Sequence, residues 1–139
     1  MEEPGLPSAR FDTLPTEEIV ALLRTHHIGR VAWESAHGPV ILPVAYAWRA
    51  GEMAFRTATD SPLGDLVTPR EVAFQIDDYD IETATGWSVL VSATTAQVIA
   101  DDDLAAWQEL LPEPWAPGNR DCVIRLTPRT LSGRAVSRR

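Results

Sequence analysis

Between Arg30 and Ala100 the chain falls into short runs of alternating apolar residues, most of them ended by Gly, Pro or Asp. That rhythm constrains the fold more than any other feature. A period of two turns one face of an extended strand toward a core and the other toward water. In Arg30–Glu34, Val31 and Trp33 alternate with Arg30, Ala32 and Glu34, and His37-Gly38-Pro39 makes a turn. In Val40–Trp48, Val40, Leu42, Val44, Tyr46 and Trp48 share a face, with Pro43, Ala45 and Ala47 opposite. Ala50-Gly51-Glu52 turns into a third strand, Met53–Ala58. Glu71–Asp77 is a fourth, closed by Asp77-Asp78-Tyr79-Asp80. Trp87–Ala100 is a long β-rich stretch with a bend or bulge expected near Thr94-Thr95. Cys122–Thr127 is a last strand, followed by a tail through Gly133-Arg134. Short strands joined by tight turns are the grammar of an antiparallel sheet.

Three helices interrupt the strands. From Thr16, the expected N-cap, Ile19, Val20, Leu22 and Leu23 form an apolar face behind Glu17 and Glu18. His26 and His27 end that helix and Gly29 stops it. Ser61–Val67 reads as a short helix capped by Asp60 or Ser61, with Pro62 just inside. Asp101–Leu111 is amphipathic, and its three leading aspartates favour a helix start. Pro112–Arg120 is a loop holding Trp115. The expected fold is mainly β with inserted helices (α+β): a six-stranded antiparallel split β-barrel, Greek-key-like rather than βαβ. The 139 residues suit one domain, 14–139, behind a flexible N-terminal arm, 1–13.

Charge narrows the function. The formal net charge is −8 and all twelve basic residues are arginine. An acidic surface repels nucleic acid and anionic lipid, so neither is an expected partner. No apolar run approaches the ~18 residues that span a bilayer. One cysteine, Cys122, permits no intrachain disulfide and is expected in the core. No export signal opens the sequence, so the cytoplasm is the expected compartment. His26, His27 and His37 do not make a metal set, since adjacent helical residues do not share a face. Ser88 lacks the Gly-x-Ser-x-Gly elbow of a hydrolase nucleophile.

Several local words occur in a telling order. They are Ile28-Gly29-Arg30-Val31-Ala32, Ile41-Leu42-Pro43-Val44-Ala45-Tyr46, and Phe55-Arg56-Thr57-Ala58 leading into Ser61-Pro62-Leu63. Val72-Ala73-Phe74-Gln75-Ile76-Asp77 and Gly86-Trp87-Ser88-Val89-Leu90-Val91 follow. Pro114-Trp115-Ala116-Pro117-Gly118 and Ser132-Gly133-Arg134 complete the set. In this order, roughly from residue 14 to 135, the chain resembles the pyridoxamine 5′-phosphate oxidase-like, FMN-binding split-barrel family. The resemblance implies a homodimer with flavin sites in clefts between subunits. It places the flavin phosphate near Arg56, Thr57 and Ser61. A guanidinium fork and hydroxyl donors suit an anion there. It lays the isoalloxazine ring along Pro43, Val44 and Ala45. Many relatives carry a cation directly after the serine of the short helix, where this chain has Pro62, and Asp60 adds a carboxylate beside the anion site.

Each residue also has a plainer reading. Arg56 could be a solvated strand residue, Thr57 and Ser61 turn and cap residues, Trp87 and Trp115 core or interface rings instead of flavin stackers. Arg120 could reach a cofactor or substrate anion or simply be solvated. The expected function is that of an FMN-binding oxidoreductase-like protein acting on a small molecule. No catalytic residue is assignable. Two alternatives stand beside it: a split-barrel reductase using the deazaflavin F420, and a non-enzymatic flavin- or ligand-binding module.

Overall fold

A computed structural model describes residues 9–113 and 122–138. The strands are β1 (Ala9–Thr13), β2 (Ile28–Ser35), β3 (Gly38–Arg49), β4 (Glu52–Thr57), β5 (Glu71–Asp80), β6 (Thr85–Gln97) and β7 (Cys122–Arg138). The helices are α1 (Thr16–Thr25), a 3-10 helix (Pro62–Val67) and α2 (Asp101–Leu110). All described strand pairs are antiparallel, in the order β1-β7-β4-β3-β2-β5-β6. A further pairing of β6 with β7 closes six of the seven strands into a ring, and β1 is appended outside it. The chain therefore folds as the expected six-stranded split barrel with one extra strand.

Closure depends on β7. Its first five residues pair with β4 (Met53↔Leu126 through Thr57↔Cys122), and Ile124–Val136 pairs with β6. Its far end takes β1 (Ala9↔Arg138 through Thr13↔Arg134). The sequence reading ended this strand at Thr127; it runs on for eleven residues to Arg138. The β6–β7 register shifts between Ser92 and Ala93, which pair with Thr130 and Pro128 and leave Arg129 as the extra residue. The irregularity lies two residues before the expected Thr94-Thr95. A bulge is where a strand tolerates the missing N–H of Pro128. The arm expected over 1–13 is, in its last five residues, strand β1; residues 1–8 lie outside the described residues. The free N–H and C=O groups along the end of β7 give even this polar segment a ladder to join.

Two cores sit on opposite sides of the wall. Inside the barrel, Val31, Trp33, Val44, Tyr46, Met53, Phe55, Phe74, Val89, Val91, Ile124 and Leu126 pack together, with Cys122 among them. α1 adds Ile19 and Leu23, and the Tyr46 hydroxyl donates to the Leu23 carbonyl at 2.7 Å. Burial pushes the Tyr46 phenol well above its ordinary pKa. α1 starts from Pro15, not from a Thr16 cap, and has no side-chain cap bond. Where α1 lies on β7, a Cβ on Gly133 would come within 3.1 Å of Ile19 and Leu14. Outside the barrel, α2 lays Trp107 on Ala47, Ala54, Val98 and Val123, a second and smaller core. Asp103 ties α2 to Arg49 at 3.7 Å and to Arg125 at 4.0 Å. Such exposed pairs orient more than they stabilise. Among the described residues, no helix is long and apolar enough to cross a membrane.

Candidate functional site

Strand alternation splits the expected anion site. Thr57 follows Phe55 and Met53 to the inside and is fully buried, while Arg56 follows Ala54 to the outside and is half-buried. Thr57 Oγ1 and Ser61 Oγ lie 2.7 Å apart, and Ser61 Oγ donates to the Ala58 carbonyl at 2.7 Å. These hydroxyls build the turn into the 3-10 helix. Ser61 is the N-cap residue of that helix but makes no side-chain cap bond. Arg56 instead donates from Nη2 to the Gln108 carbonyl in the last turn of α2, at 3.0 Å. Its Nε is buried and has no hydrogen-bond partner among the described residues. Arg70 and Arg125 share that feature. Arg125 pairs with Glu52 and Asp103, however, whereas neither Arg56 nor Arg70 pairs with a carboxylate among the described residues, and Arg70 Nη1 donates to the Glu34 carbonyl at 3.3 Å.

The expected ring-binding segment divides in the same way. The Val44 side chain is buried in the barrel, and Pro43 and Ala45 face outward. Ala45 precedes Tyr46 and Arg56 follows Phe55 in the pair Tyr46↔Phe55. Arg56, Ala45 and Pro43 thus lie on one outer surface, beside the edge of α2. Pro43 pairs with Arg30 and lines a pocket of about 450 Å³ with His26, His27, Gly29 and Asp77. Arg30 Nη1 and Asp77 Oδ1 are 3.2 Å apart on its rim.

A larger cleft, about 1020 Å³, opens between α1 and the β5–β6 hairpin. Trp87 lines it and meets the His26 ring edge-on, centroids 4.8 Å apart. His26 also lines the smaller pocket, so this ring pair stands between the two cavities. Arg56, Thr57 and Ser61 line neither. Trp115 and Arg120 lie outside the described residues. Sequence reasoning missed the cleft. Its Glu18 comes from α1 and its Asp78, Asp80 and Glu82 from some sixty residues later, so no local spacing joins them. The one available signal was Gly86, which leaves room for the Tyr79 ring across the hairpin, where a Cβ would collide with it.

A family model, pyridoxamine 5′-phosphate oxidase, matches residues 15–135. An uncharacterized protein of Mycobacterium tuberculosis is 30% identical over 125 residues, covering 86% of this chain and 82% of its own length. The structure of the FAD binding protein from Mycobacterium smegmatis superposes with a TM-score of 0.79 at 28% identity, over 91% of this chain and 98% of that one. A conserved protein of unknown function from Corynebacterium diphtheriae gives 0.74 at 26% identity, over 90% and 97%.

Proposed function

The chain belongs to the pyridoxamine 5′-phosphate oxidase family, and on that footing we propose that it is a flavin-binding, oxidoreductase-like protein acting as a homodimer. The observation that carries this reading is Arg56, a half-buried guanidinium beside Ala45 on the outer wall that, among the described residues, has a buried, unpartnered Nε and no carboxylate partner. A buried N–H left without an acceptor costs about 1–3 kcal/mol. A phosphate oxygen is the acceptor a guanidinium fork suits best. Arg56 would hold the phosphate, with Thr57 and Ser61 shaping the adjoining turn. Pro43 and Ala45 would give the flavin ring a flat, small-residue bed on the same outer surface.

The six-residue 3-10 helix has little dipole to offer, so the anion's hold falls on the arginine. A bound flavin would supply the redox chemistry; the protein's part is binding, orientation and exclusion of water. FMN is the expected flavin, and the FAD-binding neighbour from Mycobacterium smegmatis makes FAD its direct competitor. Support for the homodimer comes from the outer wall that no described element covers, where Ile41 is 61% exposed, Leu90 46% and Ile28 45% around Pro43, Ala32 and Ala73.

Titration of the purified chain with FMN, FAD and F420, read by ligand fluorescence, tests the reading. Saturable binding of FMN is expected, weakened by roughly 1.5–3 kcal/mol in Arg56→Ala, the scale of a charge-assisted hydrogen bond. Unchanged affinity in that variant removes Arg56 from the site. Preference for F420 selects the deazaflavin alternative. If none of the three binds, the flavin reading falls and the non-enzymatic ligand-binding module replaces it.

A further inference from the structure

We propose that the cleft between α1 and the β5–β6 hairpin is a binding site for an amphipathic organic cation: a bulky apolar or aromatic body carrying a positive charge. The proposal does not depend on the flavin reading. At about 1020 Å³ the cleft has the size of a small-molecule site. Leu22, Val136, Tyr79 and Trp87 give it apolar and aromatic walls.

Charge decides the class of ligand. Glu18, Asp78, Asp80 and Glu82 line the cleft, and among the described residues no arginine or histidine does. Among the described residues none of these four carboxylates has an ion-pair partner. Asp80 Oδ1 accepts from the backbone N–H of Glu82 at 2.9 Å, which orients it without neutralising it. The cations on the adjoining strands are engaged elsewhere. Arg10 pairs with Asp12 at 3.2 Å, and Arg134 lies over the Phe11 ring at 5.6 Å. His26, beside Trp87, places Nδ1 2.8 Å from the Leu22 carbonyl.

An apolar cleft ringed by uncompensated carboxylates rejects an anion and suits a cation. Exposed aromatic faces add cation–π attraction of about 0.5–1 kcal/mol. A flavin phosphate does not belong here. The cleft is therefore opposite in electrostatic preference to the outer wall near Arg56.

Two probes of one shape and opposite charge test this directly: tetraphenylphosphonium and tetraphenylborate. Their affinities for the full chain are measured by calorimetry at low salt. The cation is expected to bind at least about fivefold more tightly than the anion, the product of two exposed ion pairs. Glu18→Gln with Glu82→Gln should bring that ratio close to one. Glu109→Gln with Glu113→Gln removes the same net charge on the far side, at α2, and should leave the ratio in place. Equal or tighter binding of the anion overturns the proposal, as does no detectable binding of the cation. So does a ratio that survives the cleft variant, or one that the α2 variant collapses equally, which would assign the preference to net charge alone.

Discussion

The outer wall of the barrel has two halves that share small outward-facing residues, and among the described residues only one is covered. Over β3, β4 and β7, the small residues Ala47 and Ala54 let α2 approach closely, and Trp107 is left only 1% exposed. Over β2, β3, β5 and β6, small and apolar residues (Ala32, Ala45, Ala73, Ile28, Ile41, Pro43, Leu90) share the outer face with Arg30, Gln75 and Asp77, and no described element of the chain lies above them. One half is thus a finished core, and the other is a partly apolar face, broken by the Arg30–Asp77 pair, with no cover among the described residues. Small side chains on an outer strand face predict a lid, and the location of that lid, in the chain or in another molecule, is what separates the halves. Arg56 stands at the border, bonded to α2 through Nη2, with its buried Nε unpartnered among the described residues.

The largest effect is expected on the covered half. Trp107→Ala should cost about 3–5 kcal/mol of stability, the usual toll for removing a large buried ring. Denaturant unfolding measures it. A loss below about 1 kcal/mol would mean that α2 only rests on the wall, and the contrast between the halves would vanish. On the other half, Ile41→Asp should barely change unfolding of the single chain, yet weaken the proposed self-association by roughly 2–4 kcal/mol, because an exposed apolar residue becomes charged in both copies. Light scattering across a concentration series follows this. A wild type that is monomeric at micromolar concentration breaks the comparison from the other side.

The barrel interior supplies a third, internal reference. Tyr46→Phe should cost about 1 kcal/mol, because the Leu23 carbonyl loses its buried donor. It should also alter the pH dependence. The raised phenol pKa means that the unfolded chain ionises first, so this contribution is complete below about pH 10 and is lost as pH climbs above it toward the raised value. Alkaline unfolding curves should therefore be flatter in the variant than in the wild type. The smallest effect belongs to the border. Asp60→Asn removes a negative charge near the proposed phosphate seat and should tighten FMN by about 0.5–1 kcal/mol, less at high salt. Calorimetry at two ionic strengths decides it; an unchanged affinity shows that Asp60 does not touch the anion's field.

The strands and hairpins were legible because their turns carry Gly, Pro and Asp and their cores alternate, and β2 through β6 stand within a few residues of where those signals put them. The far half of β7 was not legible. Its Pro128 and Gly133 read as punctuation, but Pro128 lies at a bulge and Gly133 lies under α1. β1 was hidden because Arg10, Asp12 and Thr13 give no apolar stripe; it is a strand only because β7 offers a ladder. At the site, sequence named Arg56 and Thr57 together, and the period-two geometry that it had used for the core places them on opposite faces. The cleft was beyond reach, since its carboxylates converge only after the hairpin tip and α1 meet.

The long reach of β7 also fixes the timing of folding. β4 and β6 both wait for a strand that follows every other in the chain, and Met53 meets Leu126 only after more than seventy residues have intervened. Chains emerge from the ribosome at roughly 5–20 residues per second. For several seconds, therefore, the nascent sheet carries two open edges with no partner. Contacts of such long sequence separation also close slowly, because loop entropy must be met before any pairing rewards it. The molecule's most exposed moment is thus during synthesis, when those two edges are free to pair with the wrong chain.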